Sequence, residues 1–216
     1  MIINLGEHNS VFNQFLVEIR DETIQKDPMR FRRNLERTGE IFAYEISKHF
    51  KYHKKNVKTP LGTSEVYTFK EQPVIASIMR AGMPMHQGLL NYFDQAENAF
   101  ISAYRKYESD SSFNIKFEYI SSPSIHNKLL ILTDPMLATG SSMVLAYKAL
   151  IDRGIPCHTH IVSLIASKEG VEYLQKHLAM KNITLWLGAV DEELTVKSYI
   201  VPGLGDAGDL AYGSKD

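Results

Sequence analysis

Five short apolar runs between residues 73 and 190 constrain the fold more than any other feature of the sequence. The segments between several of them are amphipathic with helical spacing, at about 83–93, 143–151 and 168–178. Because strands and helices alternate along the chain, the sequence predicts an α/β fold with a parallel sheet covered by helices on both faces. The apolar runs are Pro73–Met79, Ala99–Tyr104, Lys128–Thr133, His160–Ala166 and Ile183–Val190.

The remaining segments are predicted to be additions to this core. Asp27 and Pro28 favour the start of a helix whose arginines, Arg30, Arg32, Arg33 and Arg37, are interpreted as a solvated face. The basic run 48–58 is interpreted as a solvated connector, and 114–121 alternates as an exposed hairpin or arm would. We therefore expect one domain over 1–216, with an N-terminal helical segment (about 1–58) and a C-terminal segment (about 191–216) packed on the α/β core.

Composition restricts the classes of function. The 216 residues are 44% hydrophobic and 23% charged, with 24 basic and 25 acidic side chains and a net charge of −1. A general polyanion binder would usually be more basic, so recognition of phosphate should be local, and no nucleic-acid partner is expected. We identify no secretion signal and no membrane-length apolar run, so we expect a cytoplasmic protein. The one cysteine, Cys157, cannot form an internal disulfide and is neutral on this point.

The loop after the third apolar run carries the most chemical information. Residues 133–142 read TDPMLATGSS and lie between a predicted strand and a predicted helix. Free N–H groups and the helix dipole favour an anion at Thr139–Ser142, whereas the carboxylate of Asp134 suits sugar hydroxyls, so the loop indicates a phosphorylated sugar. An Asp-Pro turn followed by a serine helix cap explains the same letters equally well.

Other segments were weighed as ligand sites. Arg80 and Arg105 each follow a strand and suit phosphate or an ion pair about equally. Residues 203–208, GLGDAG, match a dinucleotide motif, but too little chain follows for that site. The spacing in 157–160, CHTH, fits no common zinc site.

The whole chain resembles the uracil phosphoribosyltransferase family. The resemblance rests on DPMLATGSS at 134–142, YIVPGLGDAGD at 199–209, RAG at 80–82, YR at 104–105 and the N-terminal FRRNLERTGEIFAYE. It implies a type I phosphoribosyltransferase fold, with a hood over the site and an extended β-arm. It also implies conversion of uracil and 5-phospho-α-D-ribose 1-diphosphate to UMP and diphosphate, Mg²⁺ as cofactor, dimers or higher oligomers, and GTP as an effector of some members.

The resemblance also assigns residues to roles. Asp134, Arg105 and Asp206 are expected to be catalytic, and Mg²⁺ is expected to be held mainly by substrate and water, with no certain protein ligand. Uracil is expected at Ile200, Gly205, Asp206 and Ala207. The phosphoribosyl donor is expected at Arg80, Arg105, Asp134, Pro135, Met136, Leu137, Ala138, Thr139, Gly140, Ser141, Ser142 and Asp206.

Two alternative functions remain open, and one residue departs from the family pattern. A phosphoribosyltransferase-fold regulator of pyrimidine genes would bind RNA through a basic face, for which 48–58 is the candidate. Transfer to another base is the second alternative. The departure is Ser141, because the family pattern predicts glycine there, and a side chain restricts φ in a loop that binds phosphate.

Overall fold

The computed structural model describes residues 1–107 and 113–214, and within these ranges the side chains of 103–107 and 113–118 lie outside the description. The helices are α1 Val11–Arg20, α2 Pro28–Ser47, α3 Met83–Leu90, α4 Ser141–Ile151, α5 Lys168–His177 and α6 Ala207–Tyr212. The strands are β1 Ile2–Asn4, β2 Tyr52–Thr59, β3 Gly62–Phe69, β4 Val74–Met79, β5 Glu97–Tyr107, β6 Phe113–Ser121, β7 Leu129–Thr133, β8 Met136–Leu137, β9 His158–Ser167, β10 Ile183–Asp191, β11 Glu193–Leu194 and β12 Ile200–Val201.

The main sheet confirms the predicted fold class. Its order is β1-β10-β9-β7-β4-β5-β6, with β8 paired to β9 beyond the end of β7. The described pairings are parallel except for β5 with β6, which is antiparallel. Parallel neighbours bring their carboxyl ends to one edge of the sheet, which is where open α/β sheets bind ligands.

Alternate side chains of the central strands enter two separate cores, one on each face of the sheet. In β7, Leu130 and Leu132 pack in the core that contains Met143 of α4, whereas Ile131 packs in the core of α1 and α2. The period of two follows from the pleat of a strand, and burial on both faces explains why the sequence shows continuous apolar runs.

The predicted start of α2 is confirmed. The Asp27 carboxylate accepts hydrogen bonds from the backbone N–H groups of Met29 and Arg30, and Pro28 occupies the first turn. The interpretation of the α2 arginines as a solvated face is right for Arg30 and Arg33, which are exposed, although Arg30 forms a two-point ion pair with Glu18 of α1. It is wrong for Arg32 and Arg37, which are partly buried: Arg32 donates to the carbonyl oxygen of Ala211 at 2.6 Å, and Arg37 donates to the side-chain oxygen of Asn34 at 3.1 Å.

The structure of the basic run 48–58 also differs from the predicted solvated connector. Residues 52–59 form β2, which pairs antiparallel with β3 in a two-stranded hairpin whose turn lies at Pro60 and Leu61. All eight residues of β2 are exposed. The N-terminal segment, predicted to be helical over about 1–58, therefore ends in a strand. The alternating run 114–121 lies in β6, as the predicted hairpin required.

In the described part of the chain, no helix combines the length and the apolar character needed to cross a bilayer.

Candidate active site

A cavity of about 1100 Å³ lies at the carboxyl edge of the sheet. That is ample for a drug-sized ligand and leaves room for two adjacent small ones. Its walls come from the ends of β4 and β7, the loop before α4, and the segment from β12 to α6. The described lining residues are Ile78–Ala81, Ser102, Asp134, Met136–Gly140, Ser142, Met143, Lys197–Ile200 and Gly205–Gly208.

The cavity brings together most of the residues predicted from the sequence. Arg80, Asp134, Ile200, Asp206 and most of the loop 136–142 line it. Pro135 and Ser141 are not among the described lining residues; Pro135 is buried and Ser141 is half-buried. The backbone of Arg105 pairs with Ile115 in β6, and its side chain lies outside the description.

The phosphate loop, defined as residues 134–142, is built into the sheet. The backbone N–H of Asp134 donates to the carbonyl of Val162 at 3.1 Å, and the carbonyl of Pro135 accepts from Ile165 at 2.9 Å. Met136 and Leu137 then pair with β9 as the short strand β8. The sequence reading missed this strand, although two apolar residues inside an otherwise polar loop were a signal for it.

Strand β9 and helix α5 support the middle of the phosphate loop. The Ser167 hydroxyl donates to the carbonyl oxygen of Ala138 at 2.5 Å and accepts from the N–H of Gly170 at 2.8 Å. One hydroxyl therefore holds the loop and caps α5 at once. This leaves little freedom for the loop backbone at Ala138.

Gly140 sets the direction of the chain as it enters α4. Its φ is +78°, in the left-handed region, and a Cβ there would lie 2.8 Å from the carbonyl oxygen of Gly170. No serine among the described residues caps α4, so the serine-cap alternative is wrong, although the N–H of Ser141 donates to the Thr139 hydroxyl at 3.4 Å. The N–H groups at the start of a helix favour an anion. Ser141 begins the helix with its hydroxyl 2.8 Å from that of Thr139, so the positive φ falls on Gly140 and not on the serine.

Arg80 joins the sheet to the last helix. Its guanidinium donates to the carboxylate of Asp209 at 3.3 Å and to the carbonyl of Gly213 at 3.1 Å. Its buried Nε donates to none of the described groups. The peptide bond between Met79 and Arg80 is cis. Both sequence readings of Arg80 therefore have support, because it forms an ion pair and also lines the cavity.

The opposite wall is formed by the base segment, defined as residues 199–209. Its strand β12 pairs with β11, and Ile200 is buried. Gly203 and Gly205 have φ of +55° and +94°. The Asp206 carboxylate accepts from the N–H of Asp209 at 3.0 Å and caps α6. The residues of this wall that line the cavity are Tyr199, Ile200 and Gly205–Gly208.

Two distant residues hold the base segment and were missed from the sequence. Arg20, the last residue of α1, forms a two-point ion pair with Asp191, the last residue of β10, at 2.8 Å for both contacts. Arg20 also donates to the carbonyl of Gly203 at 3.0 Å, and Asp191 accepts from its N–H at 2.9 Å. No local pattern could have linked residues 20, 191 and 203.

The charges at the cavity are mixed. Arg80 and Lys197 supply positive charge, and Asp134 and Asp206 supply carboxylates. Lys197 and Ser198 were not anticipated from the sequence. Across the described residues, no group of three or more His, Cys, Asp or Glu side chains is arranged to hold a metal ion, including Cys157, His158 and His160.

Fold and site together define an α/β protein with a cavity at the carboxyl edge of a mostly parallel sheet, between the loop that enters α4 and the segment 199–209. The model of the family "Uracil phosphoribosyltransferase" matches residues 7–214. The uracil phosphoribosyltransferase of Porphyromonas gingivalis is 55% identical over 214 residues, covering 99% of each chain. That of Methanothermobacter thermautotrophicus is 37% identical and covers 95% of this chain and 93% of its own. The chain belongs to the uracil phosphoribosyltransferase family.

A solved structure is similar over nearly the whole chain. The AQ2163 protein from Aquifex aeolicus superposes with a TM-score of 0.86 and 28% identity, covering 99% of this chain and 98% of its own. Membership of the family favours the enzyme over the RNA-binding regulator considered from the sequence.

Proposed function

We propose that the protein transfers the 5-phosphoribosyl group of 5-phospho-α-D-ribose 1-diphosphate to uracil, which yields UMP and diphosphate. The observation that carries the proposal is the meeting of the phosphate loop and the base segment across one cavity. The two halves are separated in the sequence, with Ser142 and Tyr199 at their facing ends, and each suits one of the two substrates. A pentosyltransferase needs both substrates in contact, which this cavity allows.

The donor would lie along the phosphate loop. Its 5-phosphate would accept hydrogen bonds from the uncapped start of α4, where Gly140 and the hydroxyls of Thr139 and Ser142 face the cavity. The Asp134 carboxylate, at the end of β7, would accept from ribose hydroxyls. The whole segment Asp134 to Ser142 would then act as one cradle, with Pro135, Met136, Leu137, Ala138 and Ser141 shaping its backbone.

The leaving group would be held by positive charge. Arg80 lines the cavity and keeps a buried Nε without a partner among the described groups, which suits a diphosphate oxygen. Arg105 is proposed as a second contact because its backbone follows Ser102, a lining residue, on β5. Preset charge of this kind stabilises a transition state without reorganisation.

The chemical step exchanges one bond at C1 of the ribose. The C1–O bond to diphosphate breaks and its electron pair stays on the diphosphate oxygen. N1 of uracil forms the new bond to C1, and its proton passes to solvent. Asp134 and Asp206 would favour the positive charge that develops on the sugar, and alignment of the two substrates would supply much of the rate.

Uracil would be recognised by the backbone of the base segment. Groups at Ile200, Gly205 and Ala207 line the cavity and can match the carbonyl and N–H pattern of the ring edge. Cytosine places an amino group where uracil has a carbonyl, so a donor would meet a donor. An unpaired buried polar group of this kind discriminates strongly between substrates.

Mg²⁺ is proposed as the cofactor, and the donor set fits it. Asp134 and Asp206 supply oxygen ligands, and Mg²⁺ is commonly held by one or two carboxylates together with substrate phosphates and water. When bound, it would neutralise charge on the departing diphosphate.

A homodimer or higher oligomer is part of the proposal. The β2–β3 hairpin exposes Leu61, Val66 and Tyr67, and an isolated two-stranded hairpin is marginally stable in water. Packing against another copy would stabilise it. A response to GTP and a cytoplasmic location are proposed with it, the latter supported by the exposed free thiol of Cys157.

A turnover assay tests the proposed function. Uracil, cytosine, hypoxanthine and guanine compete for the phosphoribosyl donor in one mixture with Mg²⁺, and the products are separated by chromatography. We expect UMP as the dominant product. Failure to form any nucleotide over a range of pH and GTP concentrations would reject the enzyme, and a dominant purine or cytosine product would reassign its acceptor.

A further inference from the structure

The two ends of α1 and β10 meet beneath the base segment. Arg20 closes α1 and Asp191 closes β10, and their side chains are 23% and 8% exposed. Both nitrogens of the guanidinium fork face the two carboxylate oxygens at 2.8 Å. This parallel arrangement fixes the direction of both side chains, which a single-point contact would not do.

The pair holds both peptide groups that flank one glycine. The N–H of Gly203 donates to Asp191 Oδ2 at 2.9 Å, and its carbonyl accepts from Arg20 Nη1 at 3.0 Å. Arg20 Nη1 and Asp191 Oδ2 also bind each other at 2.8 Å, so three hydrogen bonds close a ring through Gly203, and the bond from Arg20 Nη2 to Asp191 Oδ1 completes the two-point pair. Gly203 has φ of +55°, a conformation that this ring selects and that glycine permits.

Neighbouring contacts extend the restraint by one residue. With its amide oriented as its partners require, Gln25 donates to the carbonyl of Leu204 at 2.9 Å. Leu204 itself is 4% exposed and packs in the core of α1 and α2. The chain is therefore fixed through residue 204 and emerges at the exposed Gly205, whose backbone lines the cavity.

We propose that the Arg20–Asp191 pair positions the base-reading backbone, which makes both residues determinants of uracil affinity although neither is among the described residues that line the cavity. The inference rests on the proposed function, because it assigns uracil to Gly205, Asp206 and Ala207. Backbone hydrogen bonds to a ring tolerate little displacement, since a shift of about 1 Å in a bound substrate can cost about a hundredfold in rate.

Steady-state kinetics of three variants test the pair. Arg20→Lys keeps the charge and loses the fork, and Asp191→Asn keeps the shape and loses the charge. We expect KM for uracil to rise about tenfold in both, the loss of roughly one charge-assisted hydrogen bond, while KM for the donor stays within about twofold. The matched control is Arg30→Lys, which breaks a similar two-point pair between α2 and Glu18 and should leave both constants unchanged.

Several outcomes would overturn the proposal. One is an equal rise in both KM values; another is no rise in either, and a third is the same shift in Arg30→Lys. Loss of folding in both test variants while Arg30→Lys folds would show that the pair is structural. Thermal unfolding of each variant separates that case from a kinetic effect.

A second measurement keeps this proposal separate from the proposed function. If the wild-type protein forms no UMP, the activity is rejected, and hydrogen–deuterium exchange still tests the pair. Exchange in the peptide covering 200–207 should rise in Arg20→Lys relative to wild type and to Arg30→Lys, while the peptide of α4 stays unchanged. Unchanged exchange at 200–207 would overturn the positioning role.

Discussion

The two walls of the cavity are held in opposite ways. The phosphate loop is fixed by its immediate neighbours in the sheet, through the pairing of β8 with β9 and the bond from Ser167 to Ala138. The base segment and the rest of α6 are held by arginines from elements far away in sequence: Arg20 donates to Gly203, Arg80 to Asp209, and Arg32 to Ala211. The comparison shows that one wall is supported by its neighbours in the sheet, whereas the other is held by side chains from α1, α2 and the end of β4.

The largest expected effect is at Asp206, on the assembled wall. Asp206→Asn keeps an oxygen that can cap α6 and removes the carboxylate from the cavity. We expect kcat to fall about a hundredfold or more, as it does when a preset electrostatic contact is lost. Rapid-quench kinetics measure the chemical step directly.

The control for Asp206→Asn is a measurement of its folding. Circular dichroism and the unfolding midpoint should match the wild-type protein, because the cap is retained. Asp206→Ala should show the same loss of activity with an additional loss of stability of about 1 kcal/mol from the missing cap. Wild-type rates in Asp206→Asn would remove the carboxylate from the mechanism.

The second expected effect is at Gly140, on the local wall. Gly140→Ala forces a side chain into a left-handed backbone and against Gly170 and Leu174. We expect a loss of about 2 kcal/mol or more in the free energy of unfolding, measured by urea denaturation. KM for the donor should rise while KM for uracil changes little.

Gly205→Ala is the counterpart on the other wall. Its φ is also positive, at +94°, but no atom lies within 4 Å of an added Cβ. Gly205→Ala should therefore lower the free energy of unfolding only through backbone strain. It should raise KM for uracil more than KM for the donor. If Gly140→Ala changed the two KM values equally, the separation of the two walls would be wrong.

The last expected effect is a loss of folding stability as the pH falls. It separates β9, which supports the phosphate loop, from α1, which supports the base segment. Burial lowers the pKa of His160, in β9, from 6.5 to about 3, and its Nδ1 accepts from Trp186 at 3.0 Å. The unfolded chain binds a proton below pH 6.5 and the folded chain does not, so this stability is complete above 6.5 and is lost toward 3. We expect a loss of about 2 kcal/mol between pH 7 and 5.

The contribution of Glu18, in α1, to folding stability should be lost at lower pH than that of His160. Hydrogen bonds from Arg30 and Asn34 lower the pKa of Glu18, in α1, from 4.5 to about 2, so its contribution is present above 4.5 and is lost between 4.5 and 2. Urea denaturation at pH 7, 5 and 4 of wild type, His160→Gln and Glu18→Gln measures both. If His160→Gln retained the full loss between pH 7 and 5, other groups would account for it.

How far the sequence predicted the molecule depends on the range of the contacts. The alternating apolar runs predicted the parallel sheet, and the Asp27–Pro28 pair predicted the start of α2. The basic run 48–58 was assigned wrongly because a two-stranded hairpin exposed on both faces shows little apolar alternation. The short β8 was missed because two residues carry no periodicity.

The sequence by itself determined the local chemistry: the strand, loop and helix around Asp134, the glycine that permits the turn into α4, and the family to which the chain belongs. These depend on residues that are neighbours in the chain. The tertiary structure alone decided that Arg20 and Asp191 hold Gly203 and that Arg32 reaches α6, because these contacts span 12 to 183 residues. Such contacts follow from the packing of α1, α2 and β10, which no spacing within one segment encodes.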